Sequence, residues 1–174
     1  MSGELTHDKV KLRPLEPSDL EWLYECENDP SIWHLSNTRL PYSKHLLKQY
    51  IDHAQESIYV HGQIRFVIAL HDDTAIGMLD FFDFDPFHQR AGIGIMICAK
   101  YRGNGFASEA LSLAKKYAFD FLNLNQMYCN IAENNKSSIN LFTTAGFTCC
   151  GRKKDWLKTR DGFEDEYIFQ LLKG

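Results

Sequence analysis

What the chain lacks bounds its class. No run approaches the roughly 18 consecutive apolar residues of a membrane-spanning helix. Met1 to Lys11 contains no apolar core of the secretory kind, so a cytoplasmic location is expected. The 174 residues carry 19 Lys and Arg against 23 Asp and Glu, a net charge of −4. That balance lacks the cationic surplus needed to coat nucleic acid. The 5 cysteines are odd in number and form no Cys-x-x-Cys, which removes the usual signals of a disulfide framework or a zinc site. Cys98, Cys129, Cys149 and Cys150 lie in apolar runs and read as small buried hydrophobes. The 7 histidines include no His-x-x-x-His pair, so no metal site is expected. There is no repeat, low-complexity linker or change of composition, so residues 1–174 read as a single domain. Glycine is sparse, 11 in all, and the placement of those few is informative.

The periodicities alternate between the two kinds. Val10 to Arg13 predicts a first strand, ended by Pro14. Pro17-Ser18-Asp19 opens a helix with Leu20, Leu23 and Tyr24 on one face, stopped by Asn28-Asp29-Pro30. Ser43 caps a second, with Leu46, Leu47, Tyr50 and Ile51 at helical spacing. Strands follow over 64–70, 75–84 and 91–99. A helix over 104–121 places Ala107, Ala110, Leu111, Ala114, Ala118 and Phe121 on one face. Gln126 to Ala132 reads as a strand, and Ser137 to Ala145 as a helix closed by Gly146. Phe147 to Arg152 and Tyr167 to Leu172 read as closing strands. This order predicts an α+β, or mixed α/β, domain on one twisted sheet. The last strand reads as an exposed edge, which suggests a homodimer or higher homo-oligomer.

The most informative segment is Arg102-Gly103-Asn104-Gly105-Phe106-Ala107-Ser108, between a strand and the long helix. Glycine permits conformations and close approaches that a Cβ forbids. The first amides of a helix lack internal partners and sit at the positive end of its dipole. Strand, Gly-x-Gly turn and helix start together make a phosphate or pyrophosphate site. Arg102 adds a cation at its mouth. The segment is neither a Walker A loop nor Gly-x-Gly-x-x-Gly.

Arg102-x-x-Gly105-x-Ala107 resembles the acetyl-CoA signature of the GCN5-related N-acetyltransferases, the GNAT family. Asn135-x-x-Ser138-x-x-Leu141-Phe142, with Gly146-Phe147 beyond, resembles that family's second motif. Leu12-Arg13-Pro14-Leu15 and Arg90-Ala91 are similar to its ribosomal-protein-alanine and spermidine acetyltransferase branches. The resemblance implies a central mixed sheet of about seven strands and about four helices, with the fourth and fifth strands splayed apart. It implies acetyl-CoA as cosubstrate, its pantetheine beside Ile95, Met96 and Ile97. The pyrophosphate would lie on the amides of Arg102, Gly103, Asn104, Gly105, Phe106, Ala107 and Ser108, with Asn135 and Ser138 flanking the cofactor.

The implied reaction is attack of an amine on the thioester. A free alkylamine has a pKa of about 10, so a proton must be removed before attack. The leaving thiolate also needs a donor, which in much of the family is a tyrosine in the second motif. Here that position is Phe142, so the donor lies elsewhere, or the chain is a weak or inactive acyl-CoA-binding sensor of the same fold. The candidate catalytic residues are Asp83, Tyr128 and Asn130. Alternation puts Tyr128 and Asn130 on one face of their strand, with Cys129 and Ile131 on the other. Tyr128 fits both a core aromatic and a catalytic hydroxyl. Asp80, Asp83 and Asp85 fit both a solvated strand face and an amine-binding role. The resemblance favours Asp83, which matches a carboxylate near the acceptor in the polyamine branch. Two departures weaken a polyamine reading: Gly92 replaces a family glutamate, and Ser36 to Pro41 lacks the acidic cluster found there. Trp33, His34 and Tyr42 are candidates to line the acceptor site, which implies an amine partner of unassigned identity.

Overall fold

The computed structural model describes residues 5–30, 40–54 and 56–174. Strand β1 is Lys11–Pro14, and a 3-10 turn at Pro17–Asp19 leads into helix α1, Leu20–Glu27. Helices α2 (Lys44–His53) and α3 (Ile58–His61) precede β2 (Ile64–Ala69), β3 (Ala75–Asp85) and β4 (Arg90–Ile97). Helix α4 (Phe106–Lys116) runs on through a π-helical turn, Tyr117–Phe121, to β5 (Gln126–Ala132). Helix α5 (Lys136–Thr144), β6 (Thr148–Lys158) and β7 (Phe163–Leu172) complete the chain. The seven strands form one sheet in the order β1-β2-β3-β4-β5-β7-β6. Among the described residues only β4 and β5 pair in parallel, so the sheet is mixed as expected. The described residues hold five helices rather than four. The addition, α3, is a single turn of 4 residues, too short to show a period.

Local chemistry explains the boundaries. Ser43 caps α2 by accepting from the Leu46 amide at 3.1 Å. Asp19 anchors the entry to α1: its Oδ2 accepts from the Glu16 amide, and both its oxygens take the Arg13 guanidinium, each at 2.8 Å. Burial opposes ionisation of Asp19, but those donors hold its carboxyl below the usual range. Gly146, at φ 97°, closes α5 as expected of a C′ glycine. The amide of Gly146 donates to the Thr143 carbonyl, and that of Phe147 to Phe142.

The sheet is covered unequally. On one face α4 and α5 lay Ala110, Leu111, Ala114 and Phe142 over Phe81, Ile93, Met127 and Ile131. On the other, α1 and α2 bring Leu23, Leu47 and Ile51 against Val67, Ala69 and Met78 of β2 and β3. Among the described residues no helix covers that second face over β5, β7 and β6. Four expectations change as a result. Strand β7 is not an edge, because it pairs with β5 on one side and β6 on the other; the edges are β1 and β6. Cys149 and Cys150 are exposed because they lie on edge strand β6. Phe121 is 55% exposed, since the π-helical turn shifts the phase of the α4 stripe and stacks it on Tyr117 instead. Leu46 is half exposed at the rim of α2.

Candidate functional site

The β4–β5 pairing is short. It joins Arg90 to Gln126, Ala91 to Met127 and Gly92 to Tyr128, and stops there. Beyond that point β4 continues to Ile97 hydrogen-bonded to β3 alone, and β5 continues to Ala132 paired with β7 alone. The strands therefore diverge into a wedge, with Gly92 and Tyr128 at its vertex. Ile95, Met96 and Ile97 form the open β4 edge, where an amide-bearing chain such as pantetheine can add as a strand does.

A bulge in β3 brings an acid to the vertex. Phe82 pairs with Gly92 and Asp85 with Arg90, so β3 spends one extra residue there. Asp83 takes φ 48°, a left-handed conformation that aspartate tolerates better than most residues. Strict alternation would have pointed Asp83 into the core beside Phe81. Instead Phe81 and Phe84 share that core, while Phe82 and Asp83 both reach Tyr128. The Phe82 and Tyr128 rings meet edge to face, centroids 6.0 Å apart. The Tyr128 hydroxyl donates to Asp83 Oδ2 at 2.9 Å. Burial, reinforced by this bond to a carboxylate, pushes the Tyr128 phenol up to about 12.

The other two β3 carboxylates are committed. Asp80 takes Arg65 Nε and Nη2 at 2.6 and 2.8 Å. Arg65 also bonds Glu27 of α1 and lies 5.4 Å from the Tyr50 ring centre, which makes this a structural triad under α1 and α2. Asp85 accepts from the His88 amide at 2.9 Å and pairs with Arg90 at 3.2 Å; the amide bond, against slight desolvation, lowers its carboxyl. Among the described residues no lysine or arginine forms an ion pair with Asp83. A cavity of about 400 Å³ opens beside it, lined by Asp83, Gln126, Tyr128, Cys150, Ile168 and Gln170 and by the paired Asp85 and Arg90. Asn130 lies on the same β5 face, yet its Oδ1 accepts from Lys153 Nζ at 3.3 Å. Asp83 and Tyr128 are thus brought together, whereas Asn130 is engaged by β6.

Ser108 and Glu109 both donate their amides to the Gly105 carbonyl, so Phe106 and Ala107 precede the first intrahelical bond of α4. Gly103 and Gly105 adopt φ 79° and 80°. Nothing lies within 4 Å of a Cβ placed on Gly103, and only Lys9 Nζ, at 3.7 Å, near one on Gly105. The cradle is open in front of the helix start and fits a pyrophosphate. Arg102 is turned toward β4, its Nε donating to the Ile97 carbonyl at 2.8 Å. A second cation, Lys9, lies beside the cradle. Lys9 Nζ donates to the Asn104 carbonyl at 3.4 Å, and its amide donates to Glu109 Oε2 at 2.9 Å. No local pattern joins residue 9 to residue 104.

In the second motif, Asn135 accepts from the Ser138 amide at 3.1 Å and the Ser137 hydroxyl at 3.0 Å. Its oxygen therefore caps α5. Phe142 is 3% exposed and packs edge to face on Phe147, centroids 5.0 Å apart. It is a core residue. Gly92 proves sterically necessary: an added Cβ would sit inside the Phe82 ring. Trp33, His34 and most of the Ser36–Pro41 segment lie outside the described residues. Tyr42 is held by Asn28, whose side chain bonds its amide and carbonyl at 2.7 and 3.0 Å.

Comparison with known proteins agrees with this geometry. The family model described as acetyltransferase (GNAT) domain matches residues 9–148. The chain is similar to the spermidine N(1)-acetyltransferase of Escherichia coli K12, 30% identical over 142 residues, 82% of this chain and 74% of that protein. It is also 30% identical over 172 residues to an N-acetyltransferase, p20, of Bacillus licheniformis, covering 95% and 94% of the two chains. The crystal structure of spermidine N-acetyltransferase from Vibrio cholerae in complex with CoA and spermine superposes with a TM-score of 0.84 at 26% identity, over 94% of this chain and 95% of that one.

Proposed function

This chain belongs to the GNAT acetyltransferase family and is an acetyl-CoA-dependent acyltransferase acting on amines, and we propose that its acceptor is a small primary amine held by Asp83 and served by Tyr128. The observation that carries the proposal is the 2.9 Å bond between Tyr128 and Asp83 at the vertex of the β4–β5 wedge. Of the three β3 carboxylates, Asp80 and Asp85 are bound to arginines, which leaves Asp83 to attract an ammonium. One unmatched carboxylate suits one ammonium better than a chain of them.

Acetyl-CoA, when bound, supplies the acetyl thioester. The open β4 edge at Ile95, Met96 and Ile97 would hold the cofactor's amide-bearing arm, and the amides of Gly103 to Ala107, which Arg102 and Ser108 flank with amides already bonded to Ala99 and Gly105, would hold its phosphates. Asp83 binds the ammonium, whose first proton passes to solvent through the open cavity, and then takes the second proton, which the neutral nitrogen sheds as it is acylated. Tyr128 holds a hydroxyl proton for the departing thiolate, the task Phe142 cannot perform. The Asp83 proton then returns to the Tyr128 oxygen along their hydrogen bond, and the pair is restored. Asn130, tied to Lys153, positions the β5 wall.

The test is acetyl-CoA with a panel of monoamines, diamines, spermidine, spermine and N-terminal peptides, read by mass spectrometry of the acetylated product. A small monoamine or diamine with the highest kcat/KM supports the proposal. Preference for spermidine or spermine, or for a peptide N-terminus, overturns the acceptor assignment. Self-association accompanies the reading: Trp156 and Phe163 of the β6–β7 hairpin are 59% and 62% exposed, and a V. cholerae spermidine N-acetyltransferase has been solved as a dodecamer. Sedimentation gives the state in solution.

A further inference from the structure

Cys26 lies in the last turn of α1 and Cys98 directly after β4, 72 positions apart, yet their sulfurs are 3.5 Å from each other. Both are half-buried, neither sealed in the core nor loose on the surface. Their environments divide the labour. The contact with Cys26, in which either sulfur can donate, lowers the Cys98 thiol against the opposing effect of burial, with help from Trp22 and Lys100. The same contact, with burial, pushes Cys26 up. Cys98, the thiol with Lys100 beside it, is the one assigned the attack, and Cys26 the one that resolves it. Cys129 offers no alternative, because burial drives its thiol up to about 12.

We propose that Cys26 and Cys98 form a thiol-oxidation site that closes reversibly as a disulfide on reaction with a hydroperoxide, and that closure suppresses amine acetylation. The Cys98 thiolate attacks the peroxide: an S–O bond forms, the O–O bond breaks, and the alkoxide or hydroxide leaves with a proton. Cys26 then attacks the Cys98 sulfur: the S–S bond forms, the S–O bond breaks, and water leaves. Two thiols and one hydroperoxide give one disulfide, one alcohol (water, from hydrogen peroxide) and one water. The two sulfurs are oxidised and the peroxide oxygens reduced.

The position of the pair links this chemistry to the site. Cys98 follows Ile97, the end of the open β4 edge and the residue whose carbonyl holds Arg102. Two residues after Cys26, Asn28 clamps Tyr42 from both sides and so closes the base of the segment between α1 and α2. Contraction from 3.5 Å to a disulfide length of about 2.05 Å ties the end of α1 to the residue after β4, and the part of that roughly 1.5 Å not absorbed by side-chain rotation is taken up by the backbone of the two segments. A misplacement of about 1 Å costs on the order of a hundredfold in rate. This half of the proposal rests on the acetyl-transfer reading.

The test treats the reduced full-length protein with equimolar hydrogen peroxide, blocks free thiols by alkylation and maps the peptides. The expected result is a Cys26–Cys98 cross-linked pair, lighter by two hydrogens and released by dithiothreitol. The Cys26→Ser protein should yield no such pair and instead a Cys98 sulfenic acid that dimedone traps. Alkylated Cys26 and Cys98, with any link confined to Cys149 and Cys150, would overturn the site. Acetylation of the best amine should fall at least tenfold on oxidation and recover on reduction, while Cys98→Ser protein resists the loss. A disulfide that leaves acetylation unchanged overturns the gating. Reduced protein that acetylates no amine would sink the function proposed above together with the gating, and the peptide map would still decide the disulfide.

Discussion

Tyr128→Phe removes one oxygen and leaves the ring that packs on Phe82. The loss in stability should be small. The hydroxyl makes one hydrogen bond, to the exposed Asp83, and such a bond contributes about 1 kcal/mol net when its partner can turn to water. The loss in rate should be large. Proton transfer by a positioned side chain contributes about 10²- to 10⁴-fold, so kcat should fall at least a hundredfold. The affinity for CoA, read by calorimetry, should stay within about twofold, because the cradle at Arg102 to Ser108 is on another element. The sign of the pH effect follows from the phenol at about 12, above its ordinary value of about 10. The protonated form is favoured in the folded chain, so its stabilisation is complete below about pH 10 and lost as pH rises toward about 12. Wild-type activity therefore shows no Tyr128 limb below about pH 10. Asp83→Asn removes a carboxylate that raises this phenol, so the tyrosine should titrate at lower pH, visible in the phenolate absorbance. The double variant should be no slower than the slower single variant, because both act through one bond. A Tyr128→Phe enzyme within threefold of wild type would refute the assignment.

Three further perturbations test the remaining parts. Gly105→Val should abolish measurable CoA binding by calorimetry, because a β-branched residue at φ 80° is strained and its side chain fills the cradle. Lys9→Ala should weaken CoA about two- to fivefold at low ionic strength and not at high salt, as an exposed cation beside a helix start does; equal affinities at both salt concentrations would remove Lys9 from the phosphate site. Arg65→Ala should lower unfolding free energy in urea by about 3–5 kcal/mol, because it removes the buried guanidinium that Glu27 and Asp80 share.

The elements were legible because their patterns are long. β5 runs over Gln126–Ala132 as its alternation requires, and Ser43 and Gly146 punctuate their helices where cap chemistry puts them. The cradle was legible because strand, Gly-x-Gly and helix start are contiguous. The rest depends on register and long-range placement. Asp83 faces Tyr128 only because β3 carries an extra residue opposite β4, and alternation alone would have buried it. Tyr167 to Leu172 read as an edge, yet β6 folds back outside it, since strand order in a sheet is not written in chain order. Cys26 and Cys98, like Lys9 and Asn104, meet across long separations. The π-helical turn after Lys116 breaks a helical stripe that read as continuous.

Gly92 and Phe82 are one feature rather than two. The ring occupies the space in which any side chain at residue 92 would begin, so a glutamate there is excluded by packing and not only by sequence. Gly92→Glu alone should force the Phe82 ring aside and destabilise the fold by about 1–3 kcal/mol, the usual cost of overpacking, seen as a lower Tm. Phe82→Ser with Gly92→Glu removes the ring and should recover most of that loss. It also adds a carboxylate near Tyr128, beside Asp83, where two negative charges can grip a polycation. The double variant should therefore shift relative kcat/KM from a monoamine toward spermidine, by about tenfold if one added ion pair contributes roughly 1.4 kcal/mol. Recovered stability with unchanged selectivity would show that the acceptor's second charge does not lie over residue 92.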